Sequence, residues 1–224
     1  MSDKPSRDLG IDASQWAEAE KEFQRALELA PNSAHFHYFH GFLYLLPTRQ
    51  TDAALSEFRT ALAVDPLSPI INVNYAYTLY AAHRYEEALQ QFRKSLELDP
   101  NFRPSHGKFA YFYAANGKWA EAAKQYRAWS GDANLPATSP TAKGFSELMQ
   151  AYLAQLNQRG DAPEMWWAIA FAAEGNRERT LALLQKAAAI HDSEFPYAIR
   201  DPLFDFVRSD PRYVELMRGV GLPP

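Results

Sequence analysis

The 224-residue chain carries a formal net charge of −4 and contains no cysteine. No basic tract offsets that charge, which disfavours nucleic acid as a partner, and the missing thiols exclude disulfides and zinc–thiolate sites. The longest apolar run, Met165 to Ala173, is far too short to cross a bilayer, and the polar opening MSDKPSRDLG lacks the apolar core of a signal peptide, so a soluble cytoplasmic chain without membrane contact is expected, or an extracytoplasmic one if it is attached to a membrane-spanning regulator.

Residues 1–14 read as coil. From there a pattern returns every 34 or 35 residues: QWAEAEKEFQRALELAP (15–31), QTDAALSEFRTALAVDP (50–66), RYEEALQQFRKSLELDP (84–100) and the degraded KWAEAAKQYRAWSGDAN (118–134). Ala19, Ala54, Ala88 and Ala122 hold one slot, and Phe23, Phe58, Phe92 and Tyr126 stand four residues on. With the further apolar residues at +7 and +8, this spacing marks one stripe of an α-helix. Pro31, Pro66 and Pro100 end three of these helices, because proline lacks an N–H and disfavours helix in the residue before it. A second helix precedes each of the last three copies, with Gly41, Ala76 and Ala110 sharing a slot, so the unit is a helical hairpin that buries its apolar face against its neighbours. The first hairpin has one extra residue, which the sequence LLPTRQ (45–50) places in its turn beside Pro47.

After Gly131 the period lapses. Residues 137–160 are expected to be a linker plus an inserted helix, N-capped by Ser139 with Pro140 at the first helical position and carrying the stripe Phe145, Met149, Tyr152, Leu153 and Leu156. The hairpin pattern resumes over 161–193, and Asp201-Pro202 and Asp210-Pro211 each read as an N-cap followed by proline in a closing segment, 194–224.

The hairpin pattern resembles the tetratricopeptide repeat. Its small residue, alanine, aromatic, small residue and proline are met by Ala76, Ala88, Phe92, Ser95 and Pro100. The resemblance implies an all-α right-handed superhelix of antiparallel hairpins with C-terminal capping helices: a half repeat at 15–33 and repeats at 34–68, 69–102 and 103–136. The tail DPLFDFVRSDPRYVELMRGVGLPP also resembles the segment closing repeat arrays in bacterial multidomain signalling proteins, among them winged-helix regulators, nucleotide cyclases and Ser/Thr kinases.

In that family the first helices line a concave face. The resemblance therefore implies a groove for a protein or peptide, with Phe39, Phe42, Val73, Asn74, Tyr77, Tyr80, Lys108 and Tyr111 in contact with it. Tyr77 and Tyr80 are the expected apolar anchors. Asn74 and Lys108 stand where the family's carboxylate clamp has Asn and Arg, but Tyr38, Phe42 and Pro104 replace the rest of that clamp, so they are expected only to orient the ligand. The competing expectation is that helix 143–159 fills the groove itself. A second function, a spacer or a homodimerising arm, would use the uncovered face of helix 15–29 through Trp16, Phe23 and Leu27. His35, His37 and His40 lack an accompanying carboxylate in sequence and are expected to be packed or solvated rather than metal ligands. Nucleophile elbow, phosphate-cradling glycine loop and dinucleotide fingerprint are all missing, so neither catalytic residues nor a cofactor is expected.

Overall fold

The computed structural model describes residues 13–224, with side chains from Gln15 onward. The expectation of coil over 1–14 lies outside the described residues for its first twelve positions; Ala13 and Ser14 belong to helix α1 (Ala13–Leu29). Helices then follow in antiparallel pairs: α2 (Ala34–Phe39) with α3 (Thr51–Val64), α4 (Pro69–Ala81) with α5 (Tyr85–Leu98), and α6 (Arg103–Ala115) with α7 (Trp119–Ser130). Helix α8 (Ala142–Asn157) packs on α7 and on α9 (Glu164–Ala173), which pairs with α10 (Arg177–Ala189). The chain closes with α11 (Phe195–Ala198), a 3₁₀ turn (Pro202–Val207) and α12 (Pro211–Gly219). No strand occurs among the described residues.

The repeated small and aromatic residues are the interior of each pair. Ala54, Phe58, Ala76, Ala88, Phe92, Ala110 and Ala122 are fully buried. One apolar cluster spans α2 to α6 and a second spans α6 to α12, so α6 belongs to both, through Phe109 and Phe112 on one side and Ala110 and Ala114 on the other.

The extra residue of the first hairpin lies inside the helix, not in the turn. The chain after α2 continues as a π-helical segment, His40–Leu45, in which Leu46 N–H reaches back five residues to Gly41 O. The turn that follows matches its neighbours: Arg49, His83 and Gly117 each take positive φ (61°, 58° and 68°) at the same place. A π bulge absorbs one residue and leaves both flanking faces in register. Deleting the exposed Leu43 should therefore convert the segment to α-helix and change stability by no more than about 1 kcal/mol. Deleting Tyr75 from regular α4 would rotate everything after it by about 100° and unfold the hairpin. Thermal melts of the two deletions followed by circular dichroism separate these outcomes.

A polar peg recurs between layers and was not anticipated. On three successive first helices, His37, Asn72 and His106 each hydrogen-bond the carbonyl of the proline six residues back, Pro31, Pro66 and Pro100, at 2.9, 3.0 and 2.9 Å. Each also meets a side chain of the paired second helix: Glu57, Gln91 and Gln125. The peg gives the carbonyl beside each helix break a partner.

His40 joins three helices. Its Nε2 lies 2.9 Å from Glu20 of α1 and its Nδ1 3.3 Å from Glu57 of α3. Burial pulls its pKa down, but hydrogen bonds to Glu57 and Glu20 outweigh that and raise it above 6.5; burial pushes Glu57 up, and bonds to His40 and His37 bring it below 4.5. The His40 contribution is thus complete below pH 6.5 and disappears as pH climbs through the raised value, while that of Glu57 is complete above 4.5 and disappears as pH falls through the lowered one. We expect His40→Asn to cost about 1 kcal/mol near pH 6 and much less near pH 9, read from urea midpoints.

Two expectations for the inserted helix are corrected. Thr141, not Ser139, N-caps α8, its hydroxyl accepting from Gly144 N–H at 3.1 Å. Ser139 is instead folded against Gly144, where an added Cβ would lie 2.0 Å from its carbonyl oxygen. Helix α8 also does not fill the concave hollow. Phe145 packs on Trp119 and Tyr126, and Met149 and Leu153 are buried with Met165, so α8 stacks as one more layer of the array.

Candidate functional site

The inner faces of α2, α4 and α6 do line a hollow, and the chain's own C-terminal segment occupies it. Asp201, which caps the 3₁₀ turn, receives Leu203 N–H at 2.9 Å. The same carboxylate takes the Tyr80 hydroxyl at 2.6 Å and the Tyr77 hydroxyl at 3.3 Å. Tyr197 of α11 lies against Phe42, ring centroids 4.8 Å apart, and Phe42 meets Tyr77 edge-on at 6.2 Å. Burial pushes the Asp201 carboxyl up to about 6, and burial with the nearby Asp201 charge drives Tyr77 and Tyr80 well above the ordinary phenol value.

Of the eight residues expected to grip a partner, five are therefore interior. Phe42, Val73, Asn74, Tyr77 and Tyr80 are all buried. Asn74 donates to the Tyr38 hydroxyl at 3.0 Å, and its own Oδ1 has no protein partner. Tyr77 and Tyr80, expected as apolar anchors for a partner, instead hold the chain's own C-terminal segment through Asp201. Phe39, Lys108 and Tyr111 keep part of their surface accessible.

Lys108 marks where the hollow stays open. Its ammonium stands 4.5 Å from the ring centre of Tyr77, 4.8 Å from Phe42 and 5.4 Å from Tyr197. Desolvation lowers its pKa to about 8 against the opposing pull of Glu194 and Asp201. Beside it lies a cleft of about 230 Å³ lined by Pro104, Gly107, Lys108, Tyr111, Trp129, Trp166, Glu194 and Tyr197. Trp129 and Trp166 meet there edge to face at 5.0 Å, and Gly107 makes the room: a Cβ would sit 2.8 Å from the Trp129 ring.

The α1 face expected to be bare is partly spent within the chain. Trp16 Nε1 donates to Val220 O at 2.9 Å, and Phe23 rests on His40 and Tyr44 at 5.4 and 6.3 Å. Leu27 is half-buried. His37 and His40 are packed among hydrogen-bond partners, and among the described residues no cluster of three or more histidine or acidic side chains has the arrangement of a metal site. No described helix is long and apolar enough to cross a membrane.

A family model described as Tetratricopeptide repeat matches residues 41–101, from the π segment through α5. The fold is of the tetratricopeptide type. Curated proteins give no match to the chain. The matched tetratricopeptide stretch contains the layers whose alanine and aromatic slots agree most closely, together with Phe42, Asn74, Tyr77 and Tyr80. Tetratricopeptide repeats generally mediate contacts between proteins.

Sequence reasoning missed the residues that close the hollow: Tyr197, Arg200 and Asp201. Asp201-Pro202 and Asp210-Pro211 are the same local signal, the first capping the 3₁₀ turn and the second α12. Only the tertiary position of Asp201, under two buried tyrosine hydroxyls, gives it a further role.

Proposed function

We propose that this chain is a non-catalytic protein-interaction module, the repeat region of a larger bacterial regulatory protein, and that it takes a segment of a partner polypeptide at the open end of its concave face. The cleft beside Lys108 carries this reading. It presents two indoles, two tyrosines and one cation along a wall the array leaves uncovered, and aromatic surface with a few placed polar groups is what binding sites for polypeptides and small ligands share. The tetratricopeptide match supports a protein as the occupant. Phe39, Lys108 and Tyr111 are the expected contacts; Phe42, Val73, Asn74, Tyr77 and Tyr80 hold the wall from behind.

The self-association reading through Trp16, Phe23 and Leu27 has less support, because the first two of these side chains already contact the chain itself. The test is affinity capture with the immobilised chain and with its Trp166→Ala/Tyr111→Ala form, proteins identified by mass spectrometry. Partners held by the wild-type chain should drop at least about tenfold on the double variant, whose circular dichroism should be unchanged. Equal recovery would remove the cleft from consideration.

A further inference from the structure

The cleft beside Lys108 holds two opposite charges that do not meet. Lys108 comes from α6 and Glu194 from the residue before α11, and both line the same space. Among the described residues no ion pair includes either of them. Desolvation lowers the Lys108 pKa and the pull of Glu194 opposes it, so the two charges sense each other across the gap.

Neither charge is used up by the fold. The Lys108 ammonium stands over the rings of Tyr77, Phe42 and Tyr197. Glu194 occupies the N-cap position of α11, yet its side chain caps no N–H of that helix. Its main chain is fixed instead: its N–H donates to Asp192 Oδ1 at 2.9 Å, and its carbonyl accepts from Ala198 N–H at 3.0 Å. Burial and the Glu194 carboxylate, which accepts from the Tyr197 hydroxyl, push that phenol up, so this donor is a neutral one. Glu194 is thus held in place by its backbone and left without a cation.

Taking a charge out of water without a partner is costly. An anionic ligand would leave Glu194 unpaired, and a cationic one would leave Lys108 unpaired. A molecule with both charges a few bonds apart pairs each of them. The walls call for a ring as well. Trp129 of α7 and Trp166 of α9 stand at 80° to each other, a corner that offers a flat group one ring face and one ring edge. At about 230 Å³ the cleft falls below the ~300–1,000 Å³ of sites for drug-sized ligands and has room for one ring system with a short polar head. We propose that this cleft binds a free α-amino acid with an aromatic side chain, its carboxylate on Lys108, its ammonium on Glu194 and its ring against Trp129 and Trp166. The proposal uses the lining of the cleft read above as a polypeptide site but does not need the polypeptide. An amino acid bound there would cover the rings a partner segment uses, so the two would compete.

The site is tested by titration calorimetry on the whole chain with no partner present. L-phenylalanine and L-tryptophan are the probes. N-acetyl-L-phenylalanine, which lacks the ammonium, L-phenylalaninamide, which lacks the carboxylate, and glycine, which lacks the ring, are the controls. Saturable binding of at least one aromatic amino acid is expected, with each control at least about tenfold weaker. Glu194→Gln and Lys108→Met each remove one charge at similar side-chain length and should keep the helical signal. Each should weaken the bound amino acid at least about tenfold. Should either variant lose its circular dichroism, the blocked ligands decide on the wild-type chain alone. No saturation by either probe at about 10 mM, blocked forms binding as tightly as the parent, or a folded variant with unaltered affinity overturns the proposal. A silent titration leaves any captured partner standing, and a failed capture leaves the titration standing, so the two readings fail separately.

Discussion

Asp201→Ala should lower stability by about 3–7 kcal/mol, the largest loss expected from any single change in the C-terminal segment. The substitution removes the acceptor for the hydroxyls of Tyr80 and Tyr77 and leaves both buried and unpaired, and it also removes the cap on Leu203 N–H. Each orphaned donor costs about 1–3 kcal/mol, and losing the cap adds roughly 1. Asp201→Asn keeps an oxygen for Tyr80 and should fall much closer to wild type. The two variants also differ from wild type in pH response. Asp201 is raised from 3.8 to about 6 in the fold, so the folded chain binds the proton more tightly than the unfolded one. Its effect on stability is therefore most favourable below pH 4 and weakens as pH rises to about 6, by roughly 3 kcal/mol in all. Urea unfolding at several pH values checks both points: the fall between pH 4 and 6 should vanish in Asp201→Asn, and its persistence would mean that another group produces it.

Arg200→Met should cost about 3 kcal/mol, although it exchanges a buried cation for an apolar chain of similar length. The guanidinium donates to Pro47 O at 2.9 and 2.5 Å and to Pro223 O at 2.6 Å, so methionine would orphan carbonyls at both the first turn and the C-terminal tail. Relief of the repulsion from Arg49 and Arg208 opposes that loss and keeps it from being larger. The denaturation midpoint should fall for Arg200→Met, and the tail should become sensitive to carboxypeptidase. A midpoint equal to wild type would show that the tail is held by Leu222 and Val220 alone, both of which are buried.

The layers were legible in the sequence because their signal is periodic. Alanine where two helices cross and an aromatic four residues later is a constraint each repeat must satisfy by itself, and Ala54, Phe58, Ala88 and Phe92 satisfy it with complete burial. The extra residue of the first hairpin was visible as a count but not as a place, since a π bulge in His40–Leu45 and a longer turn change the spacing by the same amount. The pegs were hidden for a different reason. Histidine and asparagine at 37, 72 and 106 look unlike one another, yet each has a nitrogen that can reach the carbonyl six residues back.

The site was the least legible part. Phe42, Tyr77 and Tyr80 carry the composition of a binding surface, and an aromatic groove that receives its own chain has the same composition as one that receives another. What decides between them is where residues 195–207 go, and that depends on contacts more than 120 residues apart in sequence, such as Tyr80 with Asp201. Phe39, Lys108 and Tyr111 stay accessible because the returning segment covers the groove only in part.

Trp16 touching Val220 means that the outermost layers of this array are not loose ends. In an open stack, each layer leans only on its neighbours, and melting can begin at either extremity and travel inward. Here a strap from the last layer is fastened to the first, so fraying at α1 requires releasing the strap, and releasing the strap uncovers the middle. The array should behave less like a zipper than like a buckled belt, giving way all at once.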